Sequence, residues 1–385
     1  MDINKIIDEL KPIVSEMEDN QNNQYILENL FKKALNYISK NNLLILGAGY
    51  SFQNNKIFDY DDCLFLIKNL AKFNMPITAA LFTSPRIGLH SILHFDSKKL
   101  KIVKDCFNGY KILSFCMSGP EAGSDFFSIN TNAIKNKYNQ WILNGTKKWI
   151  TGGIYANFYV VLAKTDQNKN INSFSLFLVN RYLPGVNVRL MNTQGAKLSG
   201  TAYITFDNVV LKNDDIIGDI GSGFIYCMDT LIEERWITGI SALAMGYNAF
   251  EESLKWSFNR KINDKPMNKI ESVRIRLIEM KALLEPFNSY SEVLAKKLTS
   301  ARNNNSMDLI LASETAIFKA KSTEVATKCI ENAQLIFGGR AFEKTGPGSR
   351  IQELHSQIHG MKCAGGTYDV LMNFASKVLL STSKL

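Results

Sequence analysis

The apolar positions along the chain fall into three stretches with different periods. Up to about residue 113 they recur every three or four residues, as in "YILENLFKKALNYI" and "DDCLFLIKNLAKF", the spacing that gives a helix one apolar face. From about 114 to 217 the runs are short and rich in β-branched and aromatic residues: "NQWILNGTKKWITGG", "NFYVVLAKTD", "SFSLFLVN", "VNVRL" and "AYITFDNVVL". Turn clusters such as "LNGT", "DQNKNIN" and "LPG" punctuate these runs. After "GDIGSGF" the helical period returns in three long stretches and holds to the end, interrupted by the Asn-rich "ARNNNS". The pattern predicts an α+β chain with an N-terminal helical domain (1–113), a middle antiparallel β domain (114–217) and a C-terminal bundle of long helices (218–385). "LLILGAGYSF" hints at a dinucleotide-binding turn through Gly47 and Gly49. Phe52 stands at the third glycine position and no βαβ pattern follows, so the stretch reads as a loop joining helices.

Composition narrows the class. With 385 residues, 45% hydrophobic and 21% charged, the chain reads as an ordinary globular protein of two or three domains. No apolar run approaches the ~18 residues of a membrane helix. "MDINKIIDELKPIVSEME" has neither the apolar segment nor the cleavage site of a signal peptide, so a cytoplasmic protein is expected. Six scattered cysteines without a CxxC pair suit reduced core thiols. The formal charge of +9 invites a nucleic acid, an anionic membrane or an acidic protein as partner. The basic residues form only short pairs ("SKKL", "AKKL"), which disfavours nucleic acid. Two histidine pairs at i,i+4 spacing, His90/His94 and His355/His359, share a helix face. No third ligand stands nearby in sequence, so no metal site is expected.

The order helices, sheet, helices, together with "CMSGPEAGSD", "KKWITGG", "SFNRKINDKP" and "IFGGRAF", resembles the acyl-CoA dehydrogenase superfamily over nearly the whole chain. The resemblance implies an FAD-dependent, homo-oligomeric (tetrameric or dimeric) enzyme that removes two hydrogens from the Cα–Cβ bond of an acyl thioester. The α-proton of a thioester leaves only if donors polarise the carbonyl and a carboxylate lies against the α-carbon. By the match, Ser118 meets the isoalloxazine edge, and Ser124 with the backbone near Gly123 meets the pyrophosphate. Trp149 packs on the flavin ring and Thr151 bonds near its N5, although Trp149 alone reads as a core strand aromatic. Arg260 reaches a neighbouring subunit's phosphate, Gly338 and Gly339 approach the adenosine half, and Thr367 touches the cofactor. The chain departs from the family pattern at Gly119, Glu121, Asn263, Asp264 and Leu335.

The departure that matters most lies in "HGMKCAGGTYDVLMNF". Gly365 occupies the position where the family carries its catalytic carboxylate. Its backbone N–H still serves as a carbonyl-polarising donor. Some branches place the base on the first long helix after the sheet, in a Glu-Arg pair, and "LIEERWITGI" puts Glu234 and Arg235 there. Glu234 is therefore the expected base, with Glu233 next in order. The competing reading makes Glu234 a helix-terminus acid held by the dipole or paired with Arg235. Glu233 and Arg235 are candidate substrate contacts. Ile232, at a position often acidic in CoA-using relatives, and the basic surface tilt the reading slightly toward a prolyl or similar thioester on an acidic carrier protein. A short- or branched-chain acyl-CoA comes next. The expected electron acceptor is an electron-transfer flavoprotein or oxygen. A DNA-associated or non-catalytic paralogue is the alternative from another class.

Overall fold

Amphipathic spacing becomes helix through most of the first stretch. The computed structural model describes residues 2–51, 57–166, 168 and 170–382. Helices α1 (Ile3–Asp19), α2 (Gln24–Lys40) and α3 (Leu43–Gly47) precede two-residue strands β1 (Tyr50–Ser51) and β2 (Ile57–Phe58), followed by α4 (Tyr60–Thr78), α5 (Ser84–Phe95) and α6 (Leu100–Phe107). Asp2 and Asn23 cap α1 and α2 through their side-chain oxygens. The face of α1 formed by Ile6, Leu10, Val14 and Met17 is buried. In α4, Pro76 removes a backbone donor and Asn74 leaves helical geometry (φ −152°, ψ 101°), which kinks the helix. The loop expected over "LLILGAGYSF" is corrected in part, because its front half is α3. Phe52 lies outside the described residues. A Cβ on Gly47 would stand 2.3 Å from Phe82 Cδ1, so this glycine serves close packing and not phosphate binding.

The middle stretch supplies β3 (Leu113–Cys116), β4 (Asn132–Lys135), β5 (Trp141–Ile150), β6 (Phe158–Lys164), β7 (Phe174–Asn180), β8 (Val186–Leu190), β9 (Ala202–Leu211) and β10 (Ile216–Ile217). They form one eight-stranded sheet in the order β10-β7-β6-β4-β5-β9-β8, with β3 added on β6. The sheet is mainly antiparallel, as expected, and departs from that where β3 and, at one residue pair, β4 run parallel to β6. No hairpin joins β3 to β6; the chain returns to β6 only after making β4 and β5, and that crossover permits a parallel pair. The register of β5 against β9 shifts twice, between Leu143 and Gly145 and again between Lys147 and Ile150. The second bulge holds Trp149 at φ +62°.

The last stretch comprises α7 (Gly223–Asn259), the hairpin β11 (Lys261–Ile262)/β12 (Lys265–Pro266), α8 (Glu271–Asn303), α9 (Leu309–Phe337), α10 (Ser349–Cys363) and α11 (Tyr368–Thr382). Asn263 and Asp264 both sit at positive φ (47° and 61°), as a two-residue hairpin turn requires. Among the described residues no helix is long and apolar enough to cross a membrane.

The residues group into two units. The first holds 1–50, 76–193 and 197–234, and so contains the whole eight-stranded sheet. Its core includes Phe31 stacked on Tyr155, ring centroids 3.9 Å apart. The second holds 51–75, 194–196 and 235–385. There Ala316, Ala320 and Leu371 join α9 to α11, flanked by Tyr368, Met372 and Phe374. Buried Trp236 donates its indole N–H to the Ser291 carbonyl at 3.2 Å. Asp308 caps α9 by accepting the Leu311 N–H at 2.8 Å. Asp308→Ala should therefore cost about 1 kcal/mol, read as a lower urea midpoint with an unchanged slope.

Candidate active site and flavin cradle

In the first unit, the loop after β3 carries "MSGPEAGSD". Gly119 and Ala122 exchange backbone hydrogen bonds (3.1 and 3.3 Å), closing a tight turn. The Ser118 carbonyl accepts the Lys148 N–H at 3.1 Å, which ties this loop to β5. A Cβ on Gly119 would approach the Thr146 carbonyl to 3.0 Å, so the glycine that departs from the family pattern suits this tighter turn. At Gly123 a Cβ would meet nothing within 4 Å, and Ser124 beside it is exposed. Trp149 is 50% exposed, which corrects its reading as a core aromatic: the bulge turns the indole out of the sheet. Thr151 follows, its carbonyl accepting the Ser84 hydroxyl at 2.6 Å.

In the second unit, Gly338 (φ +59°) and Gly339 also face open space. Leu335 just before them is exposed. Arg260 is exposed at the root of the β11/β12 hairpin. Thr367 is exposed ahead of α11, its carbonyl accepting the Leu371 N–H at 3.0 Å. Open glycines let backbone come close to phosphate or a nucleoside, and a half-exposed indole beside hydroxyls suits a flat heterocycle. The residues present fit a flavin dinucleotide.

The consecutive acids of α7 meet different fates. Glu233 is buried, and its Oε2 accepts two N–H groups from buried Arg86, at 3.0 and 2.8 Å. Its Oε1 lies 3.4 Å from His90 Nδ1. Glu233, a candidate substrate acid, is thus a member of a buried ion pair. Glu234 is half-buried and lies well inside α7, which overturns its reading as a helix-terminus acid. Arg235, expected at substrate, donates from Nε to the Gly365 carbonyl at 3.2 Å, and its guanidinium lies over Phe374. Gly365 and Gly366 both hold positive φ, 65° and 111°.

The structure also supplies the third ligand that the sequence did not show near His90 and His94. Ligand atoms of His90, His94 and Glu233 lie within 4.8 Å of one another. His90 Nε2 stands 2.6 Å from Asp229 Oδ2, so both ring nitrogens face carboxylates. A doubly protonated ring donates to both. His359 pairs with the exposed Cys363 instead (3.8 Å). All six cysteines are free thiols and the other five are buried, as expected for reduced core thiols.

Buried cations among the described residues escaped the motif reading, Lys147, Lys319 and Arg86 among them. Lys147 is fully buried and donates to the Met117 carbonyl at 2.6 Å, just behind Ser118. Burial pushes it down to about 8, against the pull of Cys116, Cys227 and Glu121. Lys319 is likewise fully buried on α9, and Arg86 on α5. Period gave a signal: Trp141, Leu143 and Lys147 share one side of β5, and Lys319 shares the buried face of α9 with Ala316.

Helices, a sheet and long helices in this order, with open glycines and a half-exposed indole, suit a flavoprotein oxidoreductase. Family models described as "Acyl-CoA dehydrogenase, middle domain" and "Acyl-CoA dehydrogenase, C-terminal domain" match residues 114–209 and 221–380. Acyl-CoA dehydrogenase apdG from Emericella nidulans is 30% identical over 303 residues, 77% of this chain and 68% of that protein. The solved butyryl-CoA dehydrogenase from Megasphaera elsdenii superposes with a TM-score of 0.81 at 24% identity, covering 91% and 90% of the two chains. The prolyl acyl carrier protein oxidase AnaB gives 0.79 at 18% identity, covering 90% of each. The chain belongs to the acyl-CoA dehydrogenase family: its fold is that family's, its cofactor is FAD, and it is an oxidoreductase acting on CH–CH bonds.

Two outcomes follow from the buried charges. Because Lys147 titrates lower in the fold (about 8) than its ordinary 10.5, the unfolded chain holds that proton more tightly. The burial penalty is full below pH 8 and lifts as pH rises toward 10.5, so stability gains over that window. Denaturation of Lys147→Met across the same pH range should show that gain flattened. Arg86→Met removes the guanidinium from the buried Glu233 carboxylate and should cost about 3 kcal/mol, and Glu233→Leu on top should recover part of the loss in denaturant titrations.

Proposed function

We propose that this α,β-dehydrogenase of acyl thioesters acts on a short or branched acyl-CoA and that Glu234 takes the α-proton. The observation that carries the assignment is the division between the two acids of α7. Glu233 is fixed and neutralised by Arg86, while Glu234 is half-buried and well inside the helix, and Gly365 brings no carboxylate. In this reading the Gly365 N–H polarises the thioester carbonyl, the Glu234 carboxylate removes the α-proton, and the electron pair left behind forms the Cα=Cβ bond. The bound flavin supplies the acceptor for the β-hydride. Ser118, Gly123, Ser124, Trp149, Thr151, Arg260, Gly338, Gly339 and Thr367 hold the cofactor in the roles the family resemblance gives them.

A CoA substrate is supported by the relatives whose names carry acyl-CoA. The carrier-bound prolyl alternative rests on Ile232 and the basic surface, and Glu233, which already faces Arg86, adds no further acid for a cationic ring.

Anaerobic bleaching of the flavin absorbance tests both parts. Acyl-CoAs from short to branched should bleach the parent. Glu234→Gln should bind flavin with an unchanged spectrum and bleach at least about 100-fold more slowly. A variant as fast as the parent removes Glu234 as base. Bleaching only by prolyl or acyl groups loaded on a carrier protein moves the substrate assignment to the tethered thioester.

A further inference from the structure

The segment between α10 and α11 is pinned by buried cations. Lys319, 0% exposed, donates from Nζ to the Lys362 carbonyl at 2.9 Å and the Gly366 carbonyl at 2.6 Å. Lys362 lies in the last turn of α10, where carbonyls lack helical partners and a positive charge is favourable. Arg235 holds the intervening Gly365 carbonyl. Two consecutive glycines at positive φ are the backbone with the widest freedom, and Gly365 has no side chain with which to anchor its own peptide. Among the described residues the Gly365 N–H meets no acceptor. A donor of this kind stabilises developing oxyanion charge only if its direction is set before reaction.

We propose that Lys319 is a positioning residue: by holding the carbonyls on either side of the Gly365 peptide it fixes the direction of the Gly365 N–H toward the thioester carbonyl. The proposal rests on the reading of Gly365 as a carbonyl donor and is independent of which group is the base. A methionine fills the Lys319 site without the cost of burying an ammonium. A purely structural lysine would therefore be dispensable to the carbonyl of a bound thioester.

The test is isotope-edited infrared difference spectroscopy on the FAD-loaded enzyme. Butyryl thioester is the probe, with and without 13C at the carbonyl, on CoA or on a carrier protein according to which bleaches the flavin. The Glu234→Gln background keeps the thioester unreacted. In that background the carbonyl stretch should lie below its value in water. Adding Lys319→Met should return it at least half-way while probe affinity changes less than about threefold. In the otherwise native enzyme the same substitution should lower kcat about 10- to 100-fold with KM within threefold. If Lys319→Met fails to fold with flavin, Lys319→Gln keeps a donor for one carbonyl and should give an intermediate band. A band unmoved by either substitution overturns the proposal and leaves Lys319 as a cap on α10. A band already at its water value in Glu234→Gln overturns the Gly365 donor and the proposal with it. Undiminished turnover by Glu234→Gln removes only the base, and Lys319→Met is then judged by turnover in the native enzyme, where an unlowered kcat overturns the proposal.

Discussion

A cation withdrawn from water needs new partners for its N–H groups, and here four buried cations find them in backbone carbonyls. Lys147 takes Met117, Arg86 takes Gly47, Arg235 takes Gly365 and Lys319 takes Lys362 with Gly366. Every buried carbonyl also needs a donor, so each of these bonds removes two penalties together. What they hold is irregular backbone: the strand end before the Ser118 loop, the end of α3, and the glycine turn between α10 and α11. Such segments cannot satisfy themselves through a ladder or a helix. They keep one shape because a long side chain from a rigid element reaches into them.

The same constraint sorts the acids of α7. Successive residues on a helix point about 100° apart, so Glu233 and Glu234 cannot share surroundings. The side facing α5 holds Arg86 and His90, and a carboxylate there is stabilised by charge and immobilised by geometry. The next position round the helix is half-buried. One residue of register thus separates a structural carboxylate from the one proposed to move a proton. Removing one member of the buried group would leave a buried charge with one partner fewer.

Much of this was legible in the chain. The switch from a period near 3.6 to a period of 2 and back marked out helices, sheet and helices. The motifs also marked glycines that face open space, because backbone freedom is a property of residue type. Less legible were features that depend on partners distant in sequence. The parallel pairing of β3 with β6 follows from a crossover, and the exposure of Trp149 follows from a bulge opposite β9. Neither leaves a local mark, since strand neighbours and bulges are settled by which segments meet.

By itself, then, the sequence determined the element types and the cofactor class, which reside in short-range pattern and residue identity. Only the tertiary structure decided that Glu233 is neutralised by Arg86 from another helix, that His90 lies between two carboxylates, and that Lys319 secures the glycine turn. These are long-range electrostatic pairings. A charged side chain carries no information about its partner until folding has stripped away its water.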